Sequence, residues 1–171
     1  MNRKIKILIV GTLAIFMTQT APALAQSTSV PFGGLSHDTS QQVEIVSDSF
    51  TVSQSDGTAE FVGNVVVGQG DMRLSAGKIV VKYAAGDGKA TGRINLLIAS
   101  GGVTLVSGTE AAEAKRAVYS IKKGNIVMTG DVILTQGKNV LSGQKMIIDL
   151  KTGSAKIEGR VKTIFQTGTS K

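Results

Sequence analysis

The sequence predicts an all-β protein, an elongated antiparallel β-roll of the jelly-roll kind. Two observations lead to this prediction. From Val43 onward, short stretches rich in Val, Ile and Thr alternate with Gly, Asp, Asn and Ser, and these stretches recur as an internal repeat. Alternation over four to seven residues is typical of half-buried strands, and the intervals between the breaks are too short for helices.

The composition excludes several kinds of active site. The 171 residues include no cysteine and one histidine. A chain without cysteine forms no disulfide and no thiolate metal site, and one histidine cannot build a multi-histidine metal cluster. His37 lies apart from any Ser/Asp constellation, so we expect it to be solvated. The sequence therefore predicts a protein that is not an enzyme and that holds no cofactor and no metal.

The first 25 residues have the three parts of a secretory signal peptide. A basic start is followed by the apolar run Ile7–Met17 and by the small-x-small sequence Ala23-Leu24-Ala25. We expect cleavage after Ala25, which lowers the formal net charge from +7 to +4 because three basic and no acidic residues are removed. The alternative is an uncleaved anchor over residues 5–21, although this run is shorter than the roughly 20 residues that span a bilayer.

Three further segments follow the signal peptide. Residues 26–42 are rich in Ser, Thr, Gln and Gly and include Pro31, and they predict a flexible leader. Residues 43–166 form the predicted folded domain, and 167–171 a disordered tail. The mature chain is only mildly basic, which does not argue for a nucleic-acid partner.

The internal repeat organises the folded domain. Phe61–Tyr83 aligns without a gap with Met128–Leu150, Ala99–Ile121 is a third copy, and a fourth begins at Ile157. The marker glycines are Gly63, Gly101, Gly130 and Gly159, spaced 38, 29 and 29 residues apart. We expect the nine extra residues of the first interval to form a longer loop near Gly86–Lys89. The alignment also predicts a strand for 109–118, despite its helical composition.

Each repeat predicts a strand that ends at the marker glycine, a second strand, a turn and a longer third strand. Charged side chains fall on one face of these strands, so the residues of opposite parity face inward. The inward set is Val65, Val67, Leu74, Ile79, Val81, Tyr83, Ile94, Leu96, Ile98, Val103, Leu105, Ala117, Tyr119, Ile121, Val132, Leu134, Leu141, Met146, Ile148 and Leu150. One unit cannot bury such a face alone, so stacked units must enclose a continuous apolar interior. The residues by themselves are also compatible with an ordinary packed core.

Four stretches of the domain are similar in order and spacing to one known family. They are VEIVSD at 43–48, FVGNVVVGQG at 61–70, GDVILTQ at 130–136 and GQKMII at 143–148. The chain resembles the OstA-like family over residues 43 to about 165. The resemblance implies a slightly twisted jelly roll of about sixteen antiparallel strands that is open at its ends.

The resemblance also implies a function. Family members in the periplasm hold the acyl chains of lipopolysaccharide inside the roll. They link inner-membrane and outer-membrane components of lipopolysaccharide transport by stacking head to tail. The expected lipid-binding residues are Val43, Ile45, Val81, Ile98, Tyr119, Ile121 and Ile148. The residues expected at the assembly edges are Val43, Ile45, Ile157, Val161 and Phe165.

The predicted edges follow from a sheet that never closes. Its terminal strands, expected over 43–54 and 154–166, carry unpaired backbone groups and contain no proline. Pairing the last strand of one copy with the first strand of the next is a heterologous contact, so it propagates. We therefore expect open-ended oligomers whose mass rises with concentration.

Two other functions stay open at the level of sequence. One is a membrane-tethered adaptor of the same fold, which keeps the N-terminal anchor. The other is a structural β-solenoid with a dry core and no ligand. For the basic residues Lys78, Lys82, Lys115, Arg116 and Lys145, contact with phosphates of a glycolipid and simple solvation are both compatible with the sequence, and solvation is the more common role.

Overall fold

The protein's structure, a computed structural model, describes residues 28–31, 38–86 and 89–166. Eleven strands lie in these ranges: β1 (Thr28–Pro31), β2 (Glu44–Val46), β3 (Ser49–Ser53), β4 (Thr58–Gln69), β5 (Met72–Gly86), β6 (Lys89–Ser107), β7 (Glu110–Ser120), β8 (Asn125–Gln136), β9 (Asn139–Asp149), β10 (Ser154–Glu158) and β11 (Lys162–Ile164). The described residues contain no helix that is long and apolar enough to cross a membrane. The all-β prediction is confirmed. The predicted signal peptide and the tail from 167 to 171 lie outside the described residues.

The strands form one antiparallel sheet that does not close on itself. Its order is β1-β10-β9-β8-β7-β6-β5-β4-β2, so β4 to β10 follow one another as consecutive hairpins. At one end, β3 pairs with the first half of β4 and β2 with the second half. At the other end, β10 and β11 pair with the two halves of β9. Each end of the sheet therefore consists of two short strands that together match one long strand.

The long strands bend where their register shifts, and these bends divide the sheet into two walls. The bends in β4, β6 and β8 lie at Gly63-Asn64, Gly101-Gly102 and Gly130-Asp131, and Gly159-Arg160 separates β10 from β11; all eight residues have positive φ, from 44° to 84°. A bulge of this kind bends a strand without ending it. The strands thus continue through the marker glycines, where the sequence predicted an end. Counting both halves of β4 to β9, together with β2, β3, β10 and β11, gives the sixteen expected strands.

The two walls take their names from their terminal strands. The β3–β10 wall contains residues 58–62 of β4 and the matching halves of β5 to β9, and the β2–β11 wall contains the other halves. Both walls contribute residues to a single buried cluster, from Ala59 in one to Leu141 in the other. The core therefore lies between the walls and runs along the roll.

The predicted inward face is confirmed for most of its residues. Val65, Val81, Val103, Tyr119, Val132 and Ile148 are among those that are almost completely buried. The strand predicted for 109–118 is confirmed as β7, whose alanines Ala112, Ala114 and Ala117 point into the core.

The inward assignment of Leu96 and Ile98 is wrong. Leu97 and Ala99 are buried instead, at 3% and 2% exposure. The register of β5 with β6 shifts so that Ile94 pairs with Tyr83 and Leu96 with Lys82, which leaves Asn95 as an extra residue. One inserted residue moves every following side chain to the opposite face, so simple alternation fails there.

The longer loop predicted near Gly86–Lys89 is also wrong. The extra residues lengthen the hairpin, because β5 extends to Gly86 and β6 begins at Lys89, with Ala85 paired to Ala90. The leader differs from expectation as well: its residues 28–31 form β1, which pairs with β10 at the far end of the sheet.

The bend at Gly130 gives a first prediction. Its φ is +84°, and a Cβ added there would lie 3.0 Å from the Cβ of Lys115. We expect Gly130→Ala to lower the free energy of unfolding by about 2–4 kcal/mol, because a strained φ adds to a steric clash. Urea unfolding monitored by circular dichroism measures this change.

The matched control is Gly137→Ala. Gly137 also has positive φ, +58°, but nothing lies within 4 Å of the added Cβ. We expect a loss of about 1 kcal/mol from the backbone conformation alone. Equal losses for the two variants would contradict a special role for the bend.

Candidate functional site: the apolar interior and the terminal strands

The interior consists of apolar rows that cross the whole sheet from strand to strand. One row in the β3–β10 wall is Phe50, Phe61, Ile79, Ala99, Ala117, Met128, Met146 and Ile157. The next is Val52, Ala59, Val81, Leu97, Tyr119, Ile126, Ile148 and Ala155. In the β2–β11 wall a third row is Ile45, Val67, Leu74, Leu105, Ala112, Leu134 and Leu141, and it ends at Thr163 on β11. None of these rows contains a charged residue, so the apolar surface is continuous along the roll.

Methionine gives this interior an adaptable packing. Met72, Met128 and Met146 are at most 1% exposed, and they are the only methionines in the described ranges. A thioether side chain is unbranched and fits gaps of irregular shape, so it repacks more readily than Val or Ile. The alternation of charged and apolar residues in the sequence assigned Met146 to the interior. It also marks Met72 on β5 and Met128 on β8 as inward, but the predicted inward set did not include these two residues.

One buried polar contact joins the two walls. The Tyr119 hydroxyl, in the β3–β10 wall, donates a hydrogen bond of 2.8 Å to Gln69 Oε1, in the β2–β11 wall. Gln69 Nε2 in turn donates to the carbonyl oxygens of Thr39 and Gln41, at 3.1 and 2.8 Å. Tyr119 and Gln69 are 2% and 1% exposed. Gln69 and Tyr119 lie at strand ends, away from the bends, and their contact is the junction of the walls. The leader is thus attached at this junction, a contact that no local pattern in the sequence indicated.

Burial controls the protonation of this tyrosine. Loss of hydration raises the pKa of Tyr119 to about 12. Its hydroxyl therefore stays protonated, and stays a donor, throughout the neutral range. Because the folded-state pKa lies above the value of about 10 in an unfolded chain, folding stability does not depend on this group below pH 10 and decreases as pH rises from 10 to 12.

Tyr119→Phe tests this contact. We expect the free energy of unfolding at pH 7 to fall by about 1–2 kcal/mol, because Gln69 Oε1 loses its donor. The variant should also lose less stability than the parent between pH 10 and 12. Urea titrations at several pH values measure both effects, with Tyr83→Phe as the control at a half-buried ring. An unchanged pH dependence in Tyr119→Phe would contradict the assignment.

The interior is exposed at the β2/β3 end. Phe50 and Val52 belong to the inward rows, yet they are 55% and 52% exposed, because no strand lies beyond β3 among the described residues. The ring of Phe50 lies against Phe61, with centroids 4.8 Å apart. Beside them is a depression of about 430 Å³ lined by Val52, Ser53, Gln54, Gly57, Thr58, Tyr83 and Gly92. This end of the roll, the N-terminal mouth, therefore presents apolar side chains to the surroundings.

Three of the five basic residues singled out from the sequence are paired with carboxylates of the same chain. Lys78 contacts Glu60 at 2.8 Å, Lys115 contacts Asp131 at 2.6 Å, and Lys145 contacts Glu158 at 3.3 Å. The hydrogen bond to Asp131 raises the pKa of Lys115. All of these lysine side chains are at least 43% exposed, so such pairs add little stability.

Glu158 accepts hydrogen bonds from two lysines on the outer face of the β3–β10 wall. Its carboxylate contacts Lys156 at 3.0 Å as well as Lys145, and these bonds lower its pKa. The outer face next to the C-terminal edge is therefore an alternation of charges rather than a single basic patch.

The structure places the expected lipid-binding residues at three depths. Val81, Tyr119 and Ile148 lie fully inside. Val43, Ile45 and Ile121 are half-buried and pack against the core. Ile98 is on the outer face because of the extra residue at Asn95, so its assignment to the interior is corrected.

The expected edge residues are divided between the two ends. Val43 and Ile45 lie at β2, next to the N-terminal mouth. At the other end Ile157 is buried in β10, Val161 packs against the core, and Phe165 is 62% exposed. The expectation of an open edge along 154–166 is corrected for β10, which is paired with β1; β11 has no strand on its outer side among the described residues.

The titratable side chains in the described ranges form no metal-binding site. No group of three or more His, Asp or Glu side chains is placed to hold an ion there. His37 lies outside the described residues. The features that are brought together are instead the apolar rows, the junction of the walls and the terminal strands.

An antiparallel jelly roll with an open sheet and a continuous apolar interior is the class of protein that these features define. Residues 44–154 match the model of the family described as LptA/(LptD N-terminal domain) LPS transport protein. The match covers well over half of the chain. The chain belongs to this family.

Known relatives agree with this assignment, and a solved structure has the same fold. The chain is 35% identical over 147 residues to an uncharacterized protein of Rhizobium meliloti (strain 1021), covering 82% of this chain and 79% of that one. It is 26% identical over 127 residues to the lipopolysaccharide export system protein LptA of Escherichia coli (strain K12), covering 70% of this chain and 66% of that protein. The fold matches the crystal structure of LptH from Pseudomonas aeruginosa, the LptA homologous periplasmic component of the lipopolysaccharide transport device, with a TM-score of 0.66, 17% identity, 75% of this chain and 98% of that one.

Proposed function

We propose that this protein is a non-enzymatic periplasmic bridge for lipopolysaccharide. It holds the acyl chains in its apolar interior and stacks end to end between the inner-membrane and outer-membrane components of the transport machinery. The observation that carries the proposal is the set of uncharged rows that cross the sheet and reach exposed Phe50 and Val52 at the mouth. The family and the names of the relatives supply the substrate class.

The interior suits acyl chains because both are apolar and deformable. Burial of each methylene stabilises by about 0.8 kcal/mol, so a chain of a dozen carbons gains about 10 kcal/mol before the cost of ordering it. Met128 and Met146 repack around a flexible chain more easily than branched residues. Opening the junction of the walls breaks the hydrogen bond between Tyr119 and Gln69, a small cost beside that gain. The sugars and phosphates stay in water.

Photo-crosslinking at adjacent residues tests binding to the interior. Leu97 faces inward and Ile98 outward, and at the mouth Val52 faces inward and Thr51 outward. We expect a photo-crosslinking amino acid to capture lipopolysaccharide at 97 and 52 and not at 98 and 51, because only the first two border the acyl chains. Immunoblotting of the adducts gives the yield.

Val52 and Thr51, at the N-terminal mouth, are both exposed. They keep this test valid if replacing buried Leu97 disturbs folding. Equal capture on both faces would contradict binding in the interior. Failure to find any lipid by mass spectrometry of protein purified from its native periplasm would instead favour a dry β-solenoid.

The sheet topology also supports a particular geometry for stacking. Once β1 is released from β10, β3 and β10 end one wall and β2 and β11 end the other, so a second copy placed in line pairs its β3 with β10 and its β2 with β11. The strand directions continue to alternate across this contact. Following the registered pairs from Val46 across the sheet leads to Lys162, so in the stack Val46 of the second copy lies opposite Lys162.

A pair of like charges tests this register. Val46 is 59% exposed, so we expect Val46→Lys to leave folding stability nearly unchanged and to weaken self-association at least tenfold, because two lysines then face each other across strands. Adding Lys162→Glu should restore association. Sedimentation velocity over a concentration series measures it.

Val106→Lys is the matched control, since Val106 is also exposed but lies in the middle of the sheet on β6. Its association should equal that of the parent. A strict monomer for the parent at all concentrations, with and without its transport partners, would contradict stacking. Association unaffected by Val46→Lys would contradict the register.

A further inference from the structure

The C-terminal edge of the β3–β10 wall is covered by the chain's own leader. β1 pairs antiparallel with β10, with Thr28 opposite Ile157, Ser29 opposite Lys156 and Val30 opposite Ala155. This is the edge to which the β3 strand of a second copy would add. The two ends of this wall therefore differ: among the described residues β3 has a free edge, while β10 does not.

β1 repeats the pattern of β3 at the same register positions. The row that begins at Phe50 ends at Thr28, and the rows that begin at Thr51 and Val52 end at Ser29 and Val30. Both strands thus place a hydroxyl residue and then a valine in the same two rows. In a stack, Thr51 and Val52 of the second copy would take the places of Ser29 and Val30.

The length of the leader allows this pairing within one chain. Thr39 and Gln41 are held at Gln69, which contacts Tyr119 on β7. β10 lies three strands beyond β7, about 14 Å at the usual strand spacing. Seven Cα–Cα steps connect Pro31 to Asp38, enough for about 24 Å of extended chain.

The pairing of β1 is also shorter than the contact that would replace it. β1 has four residues and pairs only with β10, whereas β2 and β3 of a second copy together offer eight residues to β10 and β11. Pro31, the last residue of β1, has no N–H group, and a proline on an edge strand discourages further pairing. The longer contact of a second copy favours displacement of β1, while Pro31 discourages a further strand from pairing beyond β1.

We propose that β1 is a built-in competitor for end-to-end stacking: it imitates β3, occupies β10 in the single chain, and is displaced by β3 of a second copy. The inference rests on the proposed stacking function. It makes assembly depend on release of the leader, so that single copies are protected from pairing at low concentration.

A reversible tether tests the inference, and the absence of native cysteine means that only the introduced thiols react. Ser29→Cys with Lys156→Cys places two thiols at a registered pair of β1 and β10. Oxidised in dilute solution, this variant should stay a monomer by sedimentation velocity, and reduction should restore association. The control, Ser75→Cys with Thr104→Cys, joins β5 to β6 within the sheet and should associate equally when oxidised and reduced.

A second variant removes the competitor without a tether. Replacing residues 28–31 by Gly-Ser-Gly-Ser should tighten self-association at least tenfold. Association of the oxidised tether equal to that of its reduced form, unchanged association of the replacement, or formation of the β1–β10 disulfide only between copies would each overturn the inference while leaving stacking intact. Absence of association in the parent and in every variant would overturn the stacking function, and the inference with it.

Discussion

The fold depends on a backbone conformation that recurs once per repeat, at the bends. At Gly63, Gly101, Gly130 and Gly159 the chain adopts φ of 82° to 84°. A straight strand of twelve residues, the length of β4 and β8, would present one apolar face to a flat sheet and leave that face without a partner. A bend in the middle turns the two halves toward each other, so each strand contributes to both walls. The apolar rows, the junction at Tyr119 and the two ends all follow from this column of bends.

The sequence alone predicts those parts of the structure that have local periodicity. Repeat alignment identified β7 as a strand against its alanine-rich composition, and parity identified most of the interior. Parity failed at Ile98, because a single extra residue at Asn95 reverses the faces and has no mark in composition. The hydrogen bond between Tyr119 and Gln69 joins residues 50 positions apart. The pairing of β1 with β10 joins residues more than 120 positions apart. Such contacts depend on how the walls come together, which no local pattern records.

The sheet from β4 to β9 and the leader are held by contacts of very different extent. Long backbone ladders and fully buried side chains hold β4 to β9 together. Hydrogen bonds at Gln69 and the four-residue strand β1 hold those parts of the leader that the structure describes. Segments with few apolar contacts open at a low free energy, while the core opens only on global unfolding. The described part of the leader and the contact between Tyr119 and Gln69 are therefore expected to open at a lower free energy than the sheet.

Because the bends are regularly spaced, the length of the roll changes in steps of one repeat. From Gly101 to Gly159 each repeat takes 29 residues and adds two strands, or about 10 Å at the usual strand spacing. Each repeat contacts only its neighbours, so duplication or loss of one unit changes the reach of the roll and leaves its cross-section intact. A protein of this design can adjust to compartments of different width by gaining or losing whole hairpins, with no need to re-evolve the surface that lines its interior.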